Sequence, residues 1–513
     1  MGAQNAIGAV PAAITLPPEG RAAIVLDGTS GAIAASASDP QIAVTVDPQT
    51  HTLTVAAGTR LGEFVLHVSD AAGTTLDIPV DVRPPAGSVP ARLGLTISGD
   101  PAAAGFLASR LEAAVTAAVA PTLAPGSSVH PGAIVPQPQQ LERGFLTSFS
   151  VAVAIEPGPG TAPVSGSTTV DVVNAAVPDG APALLAFADD PERIIADGVL
   201  SRTTVSAGQP TRLYYYHQNV GVRRRFCVVL SANDSVRTRV QLVGAAAGPN
   251  IDVMSVGHAV SKSFLAVEPH GEGVVATIVG GKPSLERDVI AGPGDGIVGA
   301  LDLRVLDGGP VTATVMAIPL DADPAAYLYA SKLPADGHTR HGSFAVGDFA
   351  QRIIAYSAGG PDAGYVYGSR QQTPRNLDPV DPGHDYGDYG VLQQIAFDLD
   401  NPGDRSTTVY LYEKPLGGVV RSSFVVNGTP VDLGCVRVPQ RYLIAPFELA
   451  PHASGTLDVL TMTDGGSNYP LEIGVTTTAP LAATPPISAA DGCFPKPGGA
   501  PAATQPADRP AGQ

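Results

Sequence analysis

The chain reads as a mainly β protein, a tandem of antiparallel β-sandwich modules with one small α+β module that carries a single helix. Three observations predict this. Glycine (58) and proline (49) make up about a fifth of the 513 residues, well above ordinary usage. Hydrophobic residues still reach 44%, set out as short alternating runs between Gly/Pro turns, the grammar of all-β domains. Tryptophan is absent and aromatics are 5%, so the cores are filled by Val, Leu, Ile and Ala, of which the β-branched residues suit a pleated surface. At about 100–150 residues per domain, the length predicts three to four domains.

The first module spans residues 12–84. Ile42, Val44 and Val46 alternate, then Leu53 and Val55, then Phe64, Leu66 and Val68, then Leu76, Ile78, Val80 and Val82. Turns at Asp47-Pro48 and Asp70 to Gly73 separate these runs, a spacing typical of sandwiches. The run Thr54-Val55-Ala56-Ala57-Gly58-Thr59, then Gly62 to Asp70, then Ile78-Pro79-Val80-Asp81-Val82 resembles bacterial immunoglobulin-like or cadherin-like surface repeats. That resemblance covers about 70 residues. It implies a stalk or adhesion module with no catalytic site.

Pro84 to Gly87 forms a linker. Residues 88–180 predict the α+β module. Leu93, Leu95 and Ile97 alternate as a strand, and Asp100-Pro101 is placed to open a helix near 101–120 as N-cap and first helical residue. Phe106, Leu107, Leu111, Val115 and Val119 recur at helical spacing, which is core packing. Phe149 to Ile155 and Thr168 to Val173 return to strand.

Residues 185–325 and 340–485 predict two further Ig-like sandwiches, the second a duplicate of the first. Tyr214 to Asn219 enters a turn and Phe226 to Leu230 leaves it. Ile395 to Asn401 and Thr408 to Tyr412 repeat the arrangement. Aligned on Asn219 and Asn401, the repeats also share an arginine, Arg225 against Arg405. The Asn in each turn is expected to satisfy backbone groups. Arg223-Arg224-Arg225 reads as a solvated strand entry. Residues 495–513, rich in Pro, Ala and Gly, read as a disordered tail.

The net charge of −17 opposes binding to nucleic acid, which needs clustered Lys and Arg. No apolar run reaches 18 residues, so no membrane span is expected. Met1 to Asn5 lacks a positive n-region, so placement outside the cell or in the cell envelope rests on architecture alone. Of the three cysteines, Cys227 sits in an apolar strand as a small core residue. Cys435 and Cys493 are the pair available for a disulfide tying the C-terminal segment to the last module, as in exported proteins.

Four carboxylates, Asp378, Asp381, Asp385 and Asp388, fall with His384 in the Pro/Gly-rich segment 376–390. Hard cations such as Ca²⁺ take six to eight oxygens from flexible loops, so these aspartates are the candidate metal ligands. Tyr386, Tyr389 and His384 are the candidate ligand-binding residues beside them. The spacing is not that of an EF-hand, and a solvated loop with Asx-turns, its acids paired with Arg370 or Arg375, is the alternative. His338, His341 and His384 could form a three-histidine metal site only if a turn brought them together. The many tyrosines, Tyr214 to Tyr216 and Tyr365, Tyr367, Tyr410 and Tyr412 among them, suit either sheet packing or a sugar platform.

No G-x-S-x-G, H-E-x-x-H or P-loop occurs. Gly294 to Gly299 matches G-x-G-x-x-G, but a strand-like run follows it where a dinucleotide fold requires a helix. The expected function is therefore a non-enzymatic surface or secreted structural protein of adhesion type, with a surface protein or glycan as partner. Ca²⁺-assisted carbohydrate recognition by the 376–390 loop is the alternative, and a hydrolase on a β scaffold is the third reading.

Overall fold

The computed structural model describes residues 6–233, 237–337, 339–345, 351–370, 374–381, 383–482 and 493. His338 and the tail from 495 onward lie outside them. Residues up to 97 together with 101–175 form one compact unit, and 98–100 with the chain from 176 onward form a second.

The first unit opens with strands β1 (Gly8–Val10), β2 (Ile14–Leu16), β3 (Arg21–Asp27), β4 (Ile33–Ala37), β5 (Ala43–Asp47), β6 (Thr52–Ala56), β7 (Gly62–Asp70) and β8 (Thr75–Val82). Alternation sends Ile24, Leu53, Val55, Leu66, Ile78 and Val82 inward, where each is fully buried. The sheets run β1-β3-β6-β5 and β2-β8-β7-β4, with β2 parallel to β8. This is the strand order of an immunoglobulin-type sandwich. The turn from β7 to β8 is held by Asp70, whose carboxylate accepts from the amides of Ser30, Ala72 and Thr74. Gly73 there takes φ 81°, open to glycine without cost.

The α+β module follows with β9 (Arg92–Ser98), α1 (Ala104–Val119), β10 (Ser128–Val135), β11 (Leu146–Glu156) and β12 (Val164–Asn174). Their order is β10-β11-β12-β9, and β9 lies parallel to β12. The stripe Leu107, Leu111, Val115 and Val119 is buried in one core with Phe149, Val151, Val170 and Val172. The helix starts later than Asp100-Pro101 predicts. Ala102 exchanges backbone hydrogen bonds with Leu141 (3.0 and 2.9 Å), which keeps the chain extended there, and the N-cap falls on Ala103 with no side-chain cap.

The second unit contains β13 (Leu184–Ala188), β14 (Arg193–Ile194), β15 (Gly198–Val205), β16 (Thr211–Asn219), β17 (Arg224–Ala232), β18 (Arg237–Asn250), α2 (Val253–Val267), β19 (Gly273–Val279), β20 (Ser284–Ala291), β21 (Gly296–Asp307) and β22 (Val311–Ile318). One sheet runs β15-β22-β17-β20, and the facing strands run β13-β16-β21-β18-β19. After β23 (Gly342–Phe344) come β24 (Gln351–Ser357), β25 (Ala363–Tyr367), β26 (Leu392–Asp400), β27 (Thr407–Pro415), β28 (Val419–Val426), β29 (Thr429–Arg437), β30 (Tyr442–Leu449), β31 (Ser454–Met462) and β32 (Leu471–Thr476). These pair as β25-β32-β27-β30 against β24-β26-β31-β28-β29.

The two sets are the same topology. Eight strands in each pair as first-eighth-third-sixth and second-seventh-fourth-fifth, and an extra strand (β13 or β24) lies parallel beside the second. That is the jelly-roll order, so these two sandwiches differ from the Ig-like type expected of them. Each has its own core, one around Leu213, Phe226, Leu230 and Val315, the other around Phe397, Leu411, Val459 and Ile473.

Three further expectations are corrected. Residues 185–325 are not all β, because α2 is inserted between β18 and β19 where the second roll has a tight turn at Asn427-Gly428. Asp252 caps α2 by accepting from the Ser255 amide (3.1 Å). Val256, Val260, Phe264 and Leu265 then form its buried face. Residues 342–344, placed with the last module, pair with β13 of the preceding one. Arg224 is buried rather than solvated. It donates to the Asn219 side chain, the carbonyls of Val220 and Ile195, and Asp197. Arg225, by contrast, binds Asp288 with both Nε and Nη2 at 2.7 Å. Arg405 is exposed, so the two arginines aligned from sequence do different things.

Cys435 and Cys493 are joined by a disulfide with a Cα–Cα distance of 5.6 Å, and Cys227 is a buried free thiol.

Candidate functional site

The two jelly rolls meet around α2. A single apolar cluster takes Leu185, Phe187, Tyr214 and Val298 from the first roll and Val391 and Met462 from the second, with Val260 and Phe264 of the helix between them. Along β16 the tyrosines alternate. Tyr215 points into the core of its own roll, and Tyr214 points into the shared cluster. Polar contacts cross the same junction. Lys262 pairs with Asp432, Arg421 donates to Ser255, and Arg212 donates to the Gly390 carbonyl (3.0 Å).

The segment 376–390 divides in two. Asp378 and Val380 are exposed, whereas Asp385 and Asp388 to Gly390 are buried at this junction. The four aspartates do not converge. The Asp378 carboxylate accepts from the Val380 amide (3.0 Å), and Asp381 accepts from Gly383 (2.8 Å) and contacts His341 Nε2 (2.8 Å). Asp385 accepts from Tyr389 (2.9 Å) and Asp388 from Gly368 (2.8 Å). Among the described residues no group of three or more His, Cys, Asp or Glu is placed to hold a metal ion. Burial pushes Asp385 well above the usual carboxylate range, with the charge of Asp388 adding to it. Burial likewise raises Asp388 to about 7. Burial that disfavours the charged form of both acids also makes them poor cation ligands.

The candidate ligand-binding residues also separate. His384 stacks on Tyr386 with ring centroids 4.7 Å apart, and the Arg370 guanidinium lies 4.9 Å from the centre of the same Tyr386 ring. Tyr389 turns inward, donates to the Ser467 carbonyl (2.9 Å) and packs near Phe187 and Tyr214.

Tyr389 does, however, line a cavity of about 170 Å³ between the two rolls. Phe187 and Tyr216 supply further aromatic wall. Asp189, Glu192 and Arg340 supply charge, and Ser467 and Asn468 close the far side. The Arg340 guanidinium sits 3.4 Å from Asp189, 3.2 Å from Glu192 and 5.6 Å from the centre of the Tyr389 ring. Burial pushes Asp189 well above the usual carboxylate range, against the pull of Arg340. The local structure explains the placement. Strand β13 delivers Phe187 inward, the chain turns at Asp189 to Glu192, and the backbone bridge between Arg340 and His384 holds Arg340 against it. Of these residues the sequence points to Tyr389 as a ligand contact and to Tyr216 as one of the tyrosines that suit either sheet packing or a sugar platform. The run Asp189-Asp190-Pro191-Glu192 was the available signal.

A second polar group lies on α2. His258 Nδ1 is 2.7 Å from Asp464 and 3.3 Å from Ser423 Oγ. These are the residue types of a hydrolytic triad. In such a triad the serine and the acid engage opposite ring nitrogens, and here both meet Nδ1. Burial opposes the imidazolium, but the hydrogen bond and charge of Asp464 hold the His258 pKa above its ordinary value. The arrangement is an ion pair that anchors α2.

No family model and no curated protein matches the chain. Its distant structural neighbours are cadherin and adhesin β-sandwich domains. They include the human desmocollin-1 ectodomain (10% identity, 36% of this chain and 43% of that one, TM-score 0.13). The adhesin InvE of Yersinia pseudotuberculosis is another (12%, 33% and 61%, 0.13), and Drosophila N-cadherin EC1-4 a third (12%, 34% and 51%, 0.13). The chain spans less than two thirds of the length of each.

Proposed function

We propose that this protein is a non-enzymatic structural protein of adhesion type, acting outside the cell or in its envelope. The observation that supports this reading is the α2 clamp. A 15-residue helix with an apolar face common to both jelly rolls, reinforced by charged and hydrogen-bonded crossings, couples two sandwiches into one stiff block. Stiffness over two modules is what a spacer or load-bearing element needs. It is obtained here from a continuous core, because relative motion of two domains is the default unless their interface is large and apolar.

The test is to stretch the whole chain between two surfaces. The two rolls are expected to unfold in one concerted event that releases the chain from 184 to 435, about 900 Å at roughly 3.6 Å per residue, because the Cys435–Cys493 disulfide keeps the loop it closes from extending. Two separate, shorter events would defeat the mechanical reading. Beads coated with the protein should be retained under flow on a protein- or glycan-coated surface, and free passage over every such surface would remove the adhesive part.

A further inference from the structure

We propose that the cavity between the two jelly rolls is a binding site for one uncharged sugar ring. Its size is the first argument. Drug-sized sites run to about 300–1,000 Å³, and about 170 Å³ suits a single ring of sugar dimensions. Its chemistry is the second. Phe187, Tyr216 and Tyr389 supply aromatic lining, with the Arg340 guanidinium over the Tyr389 ring. Around them stand the Asp189 and Glu192 carboxyls, the Arg340 guanidinium and the Asn468 amide, which together present acceptors, donors and a group that is both. A ring with an apolar face and a rim of hydroxyls, each donor and acceptor at once, matches that lining.

Charge decides against the other small ligands. An amine would seek the space between the two carboxyls and the Tyr389 ring, and Arg340 already occupies it, within 3.4 Å of both acids and 5.6 Å of the ring centre. An anion would meet those same acids. A neutral polyol disturbs neither arrangement, since each carboxylate oxygen accepts more than one hydrogen bond. The site stands independently of the mechanical role. A protein that binds sugar here and adheres to nothing would uphold this proposal and defeat the other.

The experiment is ligand-observed NMR and calorimetry on the full chain. The probes are D-glucose, D-galactose, D-mannose, L-arabinose and N-acetylglucosamine, with arginine methyl ester and methylammonium as cationic comparisons. At least one neutral sugar is expected to bind saturably, with a dissociation constant of about 1 mM or weaker. Glu192→Gln and Tyr216→Ala should each weaken it about tenfold or more, whereas Asp77→Ala, at an exposed residue that is no part of the cavity lining, should not. Each variant is melted first. If Tyr216→Ala does not fold, the nearly isosteric Glu192→Gln carries the test. No saturation by any sugar up to about 100 mM, binding unchanged in Glu192→Gln, or saturable binding by the cations alone would each overturn the proposal.

Discussion

Asn219 and Asn401 do the same work at the same place in the two jelly rolls. Asn219 is the last residue of the second strand of its roll and Asn401 directly follows the second strand of the other, and each side-chain amide donates to three backbone carbonyls. Asn219 reaches Val222, Ala291 and Gly292 at 2.9–3.0 Å. Asn401 reaches Arg405, Leu449 and Ala450 at 2.9–3.1 Å. In both, one acceptor lies in the adjoining turn and two lie at the end of the sixth strand of that roll. A planar amide can close a strand end this way because it carries two hydrogens on one nitrogen.

Asn219→Ala and Asn401→Ala should therefore each cost about 2–4 kcal/mol, since buried carbonyls lose their donor and unsatisfied groups cost about 1–3 kcal/mol apiece. Asn→Asp at either site should cost more, because a carboxylate donates nothing. Denaturant midpoints of the full chain would measure this. A loss below about 0.5 kcal/mol at both sites would show that water replaces the amide.

Arg212 is the charged residue on which the junction most depends. It is fully buried, binds Asp302 with Nε and Nη2 at 2.6 and 2.8 Å, and lies 4.7 Å over the Phe264 ring of α2. Arg212→Ala leaves the partly buried Asp302 without its cation and should cost about 2–4 kcal/mol. Asp302→Asn in that background should recover part of the loss, which a double-mutant cycle would register.

Two helical glycines should respond in opposite directions. A Cβ at Gly257 in α2 would be driven into the Gly465 backbone, so Gly257→Ala should separate helix from loop and lower the melting temperature clearly. A Cβ at Gly105 in α1 would meet nothing within 4 Å. Gly105→Ala should stabilise by about 0.5–1 kcal/mol through helix propensity.

Stability should fall between pH 7 and 8. Burial, with the charge of Asp464 in addition, pushes Glu413 up to about 8, far above an ordinary carboxyl. A carboxyl raised in the fold binds its proton more tightly there than in the unfolded chain. Its contribution is fully present below the ordinary value near 4.5 and is lost as pH rises through 8. Asp388 and Glu268, both raised to about 7 by burial, act in the same direction but finish earlier. His217, lowered to about 4 by burial, is the reverse, costing stability only as pH falls below about 6.5. Glu413→Gln should thus flatten the melting temperature between pH 7 and 8 and raise stability at pH 8 by on the order of a few kcal/mol.

Melts of the whole chain in Ca²⁺ and in EDTA should superimpose. Asp381 is engaged by His341 and the Gly383 amide, and Asp385 and Asp388 are buried and accept from backbone amides, so a stabilising cation finds no preformed cage. A Ca²⁺-dependent rise lost in Asp381→Ala would contradict this.

Period-2 alternation was enough to place strands such as β6, β7 and β8 in the first module and β9 and β11 in the second, because a strand's two faces differ in every alternate residue whatever its neighbours are. It also marked the stripe of α1, and the repeat of an Asn-led turn pointed to duplication. The helix α2 was missed although Val256, Val260 and Phe264 recur at helical spacing behind the Asp252 N-cap, because the strand-like runs on either side of it read as one continuous β module. Arg224 escaped because a buried cation looks like a solvated one until the carbonyls around it are known.

What the order of residues determined alone is local: where strands run, where Asp70 turns the chain, which residues face inward, and that the surface is acidic. Strand order, and with it the difference between an immunoglobulin sandwich and a jelly roll, was decided only by the tertiary structure, since alternation is identical in both. The cavity was decided there too. Phe187 and Glu192 come from one roll, Tyr389 and Asn468 from the other, and Arg340 from the connection between them. Residues so far apart in the chain share no spacing that a reader of the sequence could detect, and only the packing of both rolls on α2 brings them within reach of one ligand.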